Sequence, residues 1–311
     1  MLKISIFAGV FINICMIRVF RKIALALMVG IAAGFTACAE RVGSPQSDIA
    51  VTIQPLKYII ESITGDDFSI ETIVPNGASP ETYEPTPKQI ISLSNSKLIF
   101  STGLIDFENA LLSRLKEQSN IVNLSQGIEL IEGSCSHNHS KSVQSAHNHS
   151  HGIDPHIWTS PRELKTMAEN AYNAIAKHYP DSTKYHAAYQ TLINEFEELD
   201  KECEELCRNA DTKAFVVYHP ALTYFARAYG IEQITVESDG KEPSAKHLAT
   251  IIEQAKQMGV KCVLYQTQYP RSVVDVVAKD MGVNCIEFDP LAENISENIL
   301  RITHTITGTN E

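Results

Sequence analysis

The chain has 311 residues, of which 44% are hydrophobic and 20% charged, the length and composition of one large or two modest globular domains. Its formal charge is −11, and residues 1–37 hold four basic residues and no acid, so the rest of the chain stands near −15. Such a balance excludes a nucleic-acid-binding protein, which needs a basic face, and suits one that attracts cations.

The N-terminus reads as an export signal. Arg18, Arg21 and Lys22 precede an apolar run, residues 23–34, too short to span a bilayer stably. Phe35-Thr36-Ala37-Cys38 then resembles a bacterial lipoprotein box, which implies removal of residues 1–37 and acylation of Cys38. Met16 opens a more usual basic segment than Met1 does, so either can be the true start. Residues 38–47, with Gly43 and Pro45, form a polar tether.

From here strands and helices alternate. IAVTI (49–53) is an expected strand, PLKYIIESIT (55–64) a helix stopped by Gly65, and FSIETIV (68–74) a second strand. PNGASPETYEPTP (75–87), with four prolines and a glycine, is a rigid irregular loop suited to carrying a binding group. A short helix, the strand KLIFSTG (97–103), the helix from Asp106 and the strand IVNLS (121–125) complete a first parallel α/β unit. A helix from Pro161 to Tyr179, long enough to bridge two lobes, is followed by another running to about residue 210, whose acidic stretch Glu195–Glu205 reads as a solvated face. Alternation resumes at KAFVVY (213–218) and continues through IEQITVE, VKCVLYQ and VNCIEF, with helices between and after them. The expected fold is α/β: two lobes with parallel sheets, 48–160 and 180–311, bridged by the helix 161–179, with a binding cleft between them.

The stretch from Cys135 to Trp158 stands apart from this alternation and holds six of the eleven histidines. His137, His139, His147, His149 and His151 lie in a Ser/Asn-rich run without apolar periodicity, so it should be a loop that offers several imidazoles to a transition metal. His156 follows Asp154-Pro155, two residues before the only tryptophan. Of the seven cysteines, Cys203 and Cys207 are four apart on one helix face, and Cys262 and Cys285 open matching phrases on neighbouring strands, which makes those two a candidate disulfide.

Ligands of open α/β sheets bind beyond the carboxyl ends of strands. His219 follows KAFVVY there, Asp289 follows CIEF, and the 75–87 loop, carrying Glu81 and Glu84, follows FSIETIV. With His156 closing the first lobe, one imidazole and one or two carboxylates from each lobe can meet around a cation.

NGASPETYEPTP, DPHIWTSP, VVYHPALTYFARAYGI, GKEPSAKHLATIIEQAK and FDPL, in this order, resemble the zinc/manganese solute-binding proteins of bacterial ABC importers, the ZnuA/TroA-like family. The resemblance spans about residues 48–311. It implies a monomeric receptor, lipid-anchored at the cell envelope, that holds Zn2+, or Mn2+ as the alternative, between its lobes and delivers it to a permease driven by an ATPase. It also implies that His156, His219 and Asp289 are ligands and associates the histidine-rich loop with zinc-handling members; the loop's His-x-His repeats make it the expected accessory collector.

Two positions depart from the family pattern. Glu81 stands where relatives usually have His, and Gln266 where many have Glu. Either Glu81 binds the ion itself, or a loop histidine supplies the missing nitrogen, or water fills the position. The first is favoured because the surrounding phrase is intact. A zinc hydrolase with Glu84 as general base is the other class of reading, weakened by the absence of HExxH.

Overall fold

The computed structural model describes residues 47–115, 120–133, 152–180, 183–237, 243–269 and 271–309. The expected signal, Cys38, Cys135 and the five loop histidines fall outside them. Residues Gln46–Glu311 form one compact unit.

Among the described residues, eight strands make two four-stranded parallel sheets of identical topology. The first has β1 (Ile49–Val51), β2 (Ile70–Thr72), β3 (Leu98–Ser101) and β4 (Ile121–Asn123), in the order β2-β1-β3-β4. The second has β5 (Ala214–Val217), β6 (Glu232–Thr235), β7 (Cys262–Tyr265) and β8 (Asn284–Glu287), in the order β6-β5-β7-β8. Their crossover helices are α1 (Gln54–Thr64), α2 (Pro87–Asn95) and α3 (Asp106–Leu112), then α6 (Thr223–Tyr229), α7 (Ala245–Gln257) and α8 (Arg271–Met281). Between the sheets in sequence come α4 (Pro161–His178) and α5 (Thr183–Asn209), and α9 (Ile295–Thr307) closes the chain. Among the described residues, no helix is long and apolar enough to cross a membrane.

Local signals set the helix ends. Gly65, at φ 59°, ends α1, and Gly230, in the left-handed conformation, ends α6. Ser160 is the N-cap of α4, with Pro161 following, but its hydroxyl makes no cap bond. The neighbouring Thr159 instead spends its hydroxyl on the carbonyls of His156 and Ala221, both at 2.9 Å.

One core joins the two sheets. Ile49, Val51 and Phe100 belong to the same buried cluster as Phe215, Val217 and Leu264, through Leu164 and Met167 of α4 and Phe196 of α5. A second, smaller cluster, built on Val216, Val263 and Tyr265, lies on the other face of the second sheet under α7 and α8. The long helix α5, assigned from sequence to the second lobe, packs on α1 as well as on α9. The phenol of Tyr58 and the hydroxyl of Ser296 both donate to Glu195 there. The acidic stretch is therefore only partly a solvated face. Glu197, Glu198 and Glu202 are exposed, whereas Asp200 pairs with Arg162 at 3.1 Å and Lys165 at 3.0 Å.

The expected disulfide between Cys262 and Cys285 does not form. Register explains why: Cys262 stands opposite Asn284, and it is Val263 that stands opposite Cys285. Because side chains alternate along a strand, one thiol enters the shared core and the other packs against the outer cluster. Cys203 and Cys207 share the buried face of α5 as expected, and both are free thiols. Burial pushes the Cys262 thiol up to about 12 and that of Cys203 to about 11, which keeps them unreactive.

Candidate metal centre

Three of the sequence-predicted ligands come together. Glu81, His156 and His219 each place a ligand atom within 4.8 Å of the others. All three stand on loop segments whose backbone is pinned.

His219 comes two residues after β5, just before Pro220, and its carbonyl accepts from the backbone of Ala221 at 2.7 Å and from Nε2 of Gln266 at 3.2 Å. Gln266, the second departure noted in the sequence, thus lies buried behind this ligand and supports its backbone. His156 sits in an Asp-Pro-His turn: Asp154 Oδ1 accepts the His156 backbone N–H at 2.9 Å and faces the ring Nδ1 at 2.9 Å. A short helical turn, Ile157–Thr159, follows, and the buried Trp158 donates to Pro290 O at 2.8 Å, tying this segment to the turn after β8. Glu81 rides on the proline-rich loop. Its far end is fixed by the capping box of Thr86 and Gln89, and Gln89 also reaches Ile73 O at 2.7 Å.

Each imidazole is oriented by a carboxylate. Glu237 Oε1 faces His219 Nδ1 at 2.8 Å, as Asp154 faces His156 Nδ1. An ionised carboxylate can only accept, so Nδ1 carries hydrogen in both rings and both Nε2 atoms turn to the centre. The rings lie 5.2 Å apart at 69°. Glu81 Oε1 is 3.6 Å from Nε2 of His156 and in direct contact with Nε2 of His219. Two ligands each about 2.0–2.1 Å from a tetrahedral ion are about 3.3 Å apart, so the Glu81–His156 spacing is close to what zinc needs, and the closer Glu81–His219 pair has to open for an ion to enter. The Glu81–His219 contact lacks hydrogen-bond alignment.

The electrostatics agree. Burial alone would lower the His219 pKa, but Glu237 and Glu81 outweigh it and lift it to about 9. Burial pushes Glu81 up, and the neighbouring His219, His156 and Tyr269 hold it below the usual carboxylate range. Asp154, also pushed up by burial, is lowered on balance by His156.

Asp289 is not brought into the group of three. It stands just past β8 with Oδ1 accepting the Leu291 N–H at 2.9 Å, so it shapes the FDPL turn. Glu84 is exposed and likewise outside the group.

Sequence reasoning missed three residues. Glu237 follows β6, and the strand-end rule that found His219 would have found it too. Asp154 was signalled by its two-residue spacing from His156. Tyr269 carried no signal: it stacks on His219 at 5.1 Å and 16° and donates to Glu81 Oε2 at 2.8 Å.

The centre opens on a cavity of about 800 Å3, whose walls include Tyr269, Glu237, His247, Gly133 and Gly152. Gly133 N–H bonds Gly152 O at 2.6 Å, and Glu132 bridges to Ile153, so the two ends of the histidine-rich segment meet at the cavity wall. A Cβ on Gly133 would come within 2.8 Å of Gly152 O, which explains the glycine.

Known proteins agree with this architecture. A zinc-binding protein, AdcA, of Streptococcus pyogenes serotype M3 is 28% identical over 270 residues, covering 81% of this chain and 52% of the relative. This chain therefore spans about half the length of that relative. The high-affinity zinc uptake system protein ZnuA of Bacillus subtilis is 29% identical over 240 residues, covering 75% of each. A crystal structure of ZnuA superposes with a TM-score of 0.74 at 32% identity, covering 84% of this chain and 98% of the other. A zinc-bound deletion mutant of ZnuA gives 0.72 at 31% identity, again covering 84% and 98%. The family profile described as zinc-uptake complex component A periplasmic matches residues 49–305, and the chain belongs to that family, ZnuA.

Proposed function

We propose that this protein is the zinc-binding receptor of an ABC-type importer, holding one ion between its two lobes for a membrane permease and its ATPase. The observation that carries the reading is the convergence of two carboxylate-oriented imidazoles and Glu81 from separate segments on one point. Two nitrogens and a carboxylate oxygen are a zinc donor set, borderline in softness. Asp289, just past the end of β8, is the proposed fourth ligand, and four protein ligands leave no open position for catalysis. The names of the streptococcal and Bacillus relatives support zinc as the cargo. Lobes at 48–160 and 180–311, hinged on the helix 161–179, would enclose the ion. Removal of residues 1–37 and acylation of Cys38 would hold the receptor at the cell envelope.

Titration of the metal-free protein with zinc, in competition with a chromophoric chelator, tests the reading. One tightly held ion per chain is expected, and Glu81→Ala should weaken it by at least about tenfold. A chain that takes up no zinc contradicts the receptor, and unchanged affinity in Glu81→Ala removes Glu81 from the ligand set. Deleting residues 135–151 should leave this ion in place and abolish any additional weak sites seen by calorimetry. Weak sites that survive the deletion would show that the loop is not the collector.

A further inference from the structure

The way Glu81 is held bears on which ion the centre prefers. Its two carboxylate oxygens are not equivalent. Oε1 faces the imidazoles, 3.6 Å from Nε2 of His156 and in contact with Nε2 of His219. Oε2 accepts the phenolic hydrogen of Tyr269 at 2.8 Å. Tyr269 is itself fixed by its ring stack on His219, by the ring of Tyr218 at 5.0 Å, and by its backbone N–H to Gln266 O at 3.1 Å. Its hydroxyl cannot swing away without losing both ring contacts.

An ion arriving beside His156 and His219 therefore meets one oxygen of Glu81. The hydrogen bond draws charge from Oε2 and weakens it as a donor, so the carboxylate presents one strong donor atom, as an imidazole would. Zinc is satisfied by four tetrahedral ligands, whereas manganese favours octahedral, oxygen-rich surroundings, and a two-oxygen carboxylate is one way to raise the ligand count. We propose that Tyr269 is a specificity-determining residue: by occupying Oε2 it holds Glu81 to one-oxygen ligation and so favours zinc over manganese. This rests on the reading of the cleft as a zinc site.

Tyr269→Phe is the test, since it keeps the ring stacks and removes only the hydroxyl. Two quantities are read on the full chain: the ratio of zinc to manganese affinity, and the visible spectrum of the cobalt-loaded protein, intense for four-coordinate cobalt and weak for higher coordination. The expected result is a shift of the affinity ratio by about tenfold toward manganese, the scale of one hydrogen bond to a charged group, with a drop in the cobalt bands. A ratio and spectrum like those of the unsubstituted protein would overturn the proposal. So would a purely packing role, in which Tyr269→Phe behaves as the parent while Tyr269→Ala weakens zinc and manganese equally. Failure of the unsubstituted protein to bind zinc in the cleft would overturn the underlying reading, and it is seen before any variant is made.

Discussion

His219→Ala abolishes tight zinc binding, with a loss of more than about 100-fold, because removing even an orienting partner behind a ligand costs about 10–100-fold. The ring is the centre's most connected group. Its Nε2 meets Glu81, its Nδ1 meets Glu237, and its face carries Tyr269. Two of its neighbours are already committed: Gln266 directs Nε2 to the His219 carbonyl, and the His156 ring is held by Asp154. Without the imidazole, Glu81 and Glu237 both lose the cationic group they share, so the metal-free variant should also melt earlier than the parent near neutral pH. Chelator competition reads the first effect and a circular-dichroism melt the second. Zinc affinity within threefold of the parent's would remove His219 from the centre.

Zinc affinity should also rise steeply with pH across the neutral range. In the metal-free protein, burial disfavours the His219 charge, but Glu237 and Glu81 more than compensate, so the ring titrates at about 9. Below that value Nε2 carries a proton that zinc must displace, and each pH unit lost costs about tenfold in apparent affinity. Between pH 8 and pH 6 the expected fall is about 100-fold, with close to one proton released per zinc bound. Buffers of different ionisation enthalpy measure that release calorimetrically, and an affinity that stays flat from pH 8 to pH 6 would contradict it.

The same group makes the two states respond oppositely to pH. Its folded pKa, about 9, lies above the ordinary 6.5, so its contribution to the metal-free fold is complete below about 6.5 and disappears as pH rises through about 9. The zinc-bound form gains over that window instead. Glu81 and Asp154 titrate below their ordinary values, so their contribution is complete above the ordinary carboxylate range and is lost as pH falls through their lowered values.

The fold was legible because its signals are local. Gly65 stops α1 where expected, Gly230 ends α6, Thr86 and Ser244 cap α2 and α7, and the alternation of apolar strands with amphipathic helices leaves little choice but two parallel sheets. Glu81 and His219 were legible by position beyond a strand end and His156 by its Asp-Pro-His phrase beside Trp158, supported by five ordered motifs. What stayed hidden depends on register and on contacts far apart in sequence. The face each thiol takes follows from a one-residue offset between β7 and β8, which the matching phrases around Cys262 and Cys285 conceal. Asp289 illustrates the opposite difficulty. Its Asp-Pro phrase serves turn capping and metal binding equally well, and the structure shows the capping bond. Tyr269 meets Glu81 across 188 positions, and no local pattern marks such a contact.

A crystal structure of the zinc-loaded protein, with anomalous differences collected at the zinc edge, tests the centre most directly. The predicted result is one strong peak in the cleft, about 2.0–2.2 Å from Glu81 Oε1 and from Nε2 of both His156 and His219, with Tyr269 still on Glu81 Oε2. A principal peak elsewhere, or a cleft peak from which Glu81 or either imidazole has turned away, would contradict it.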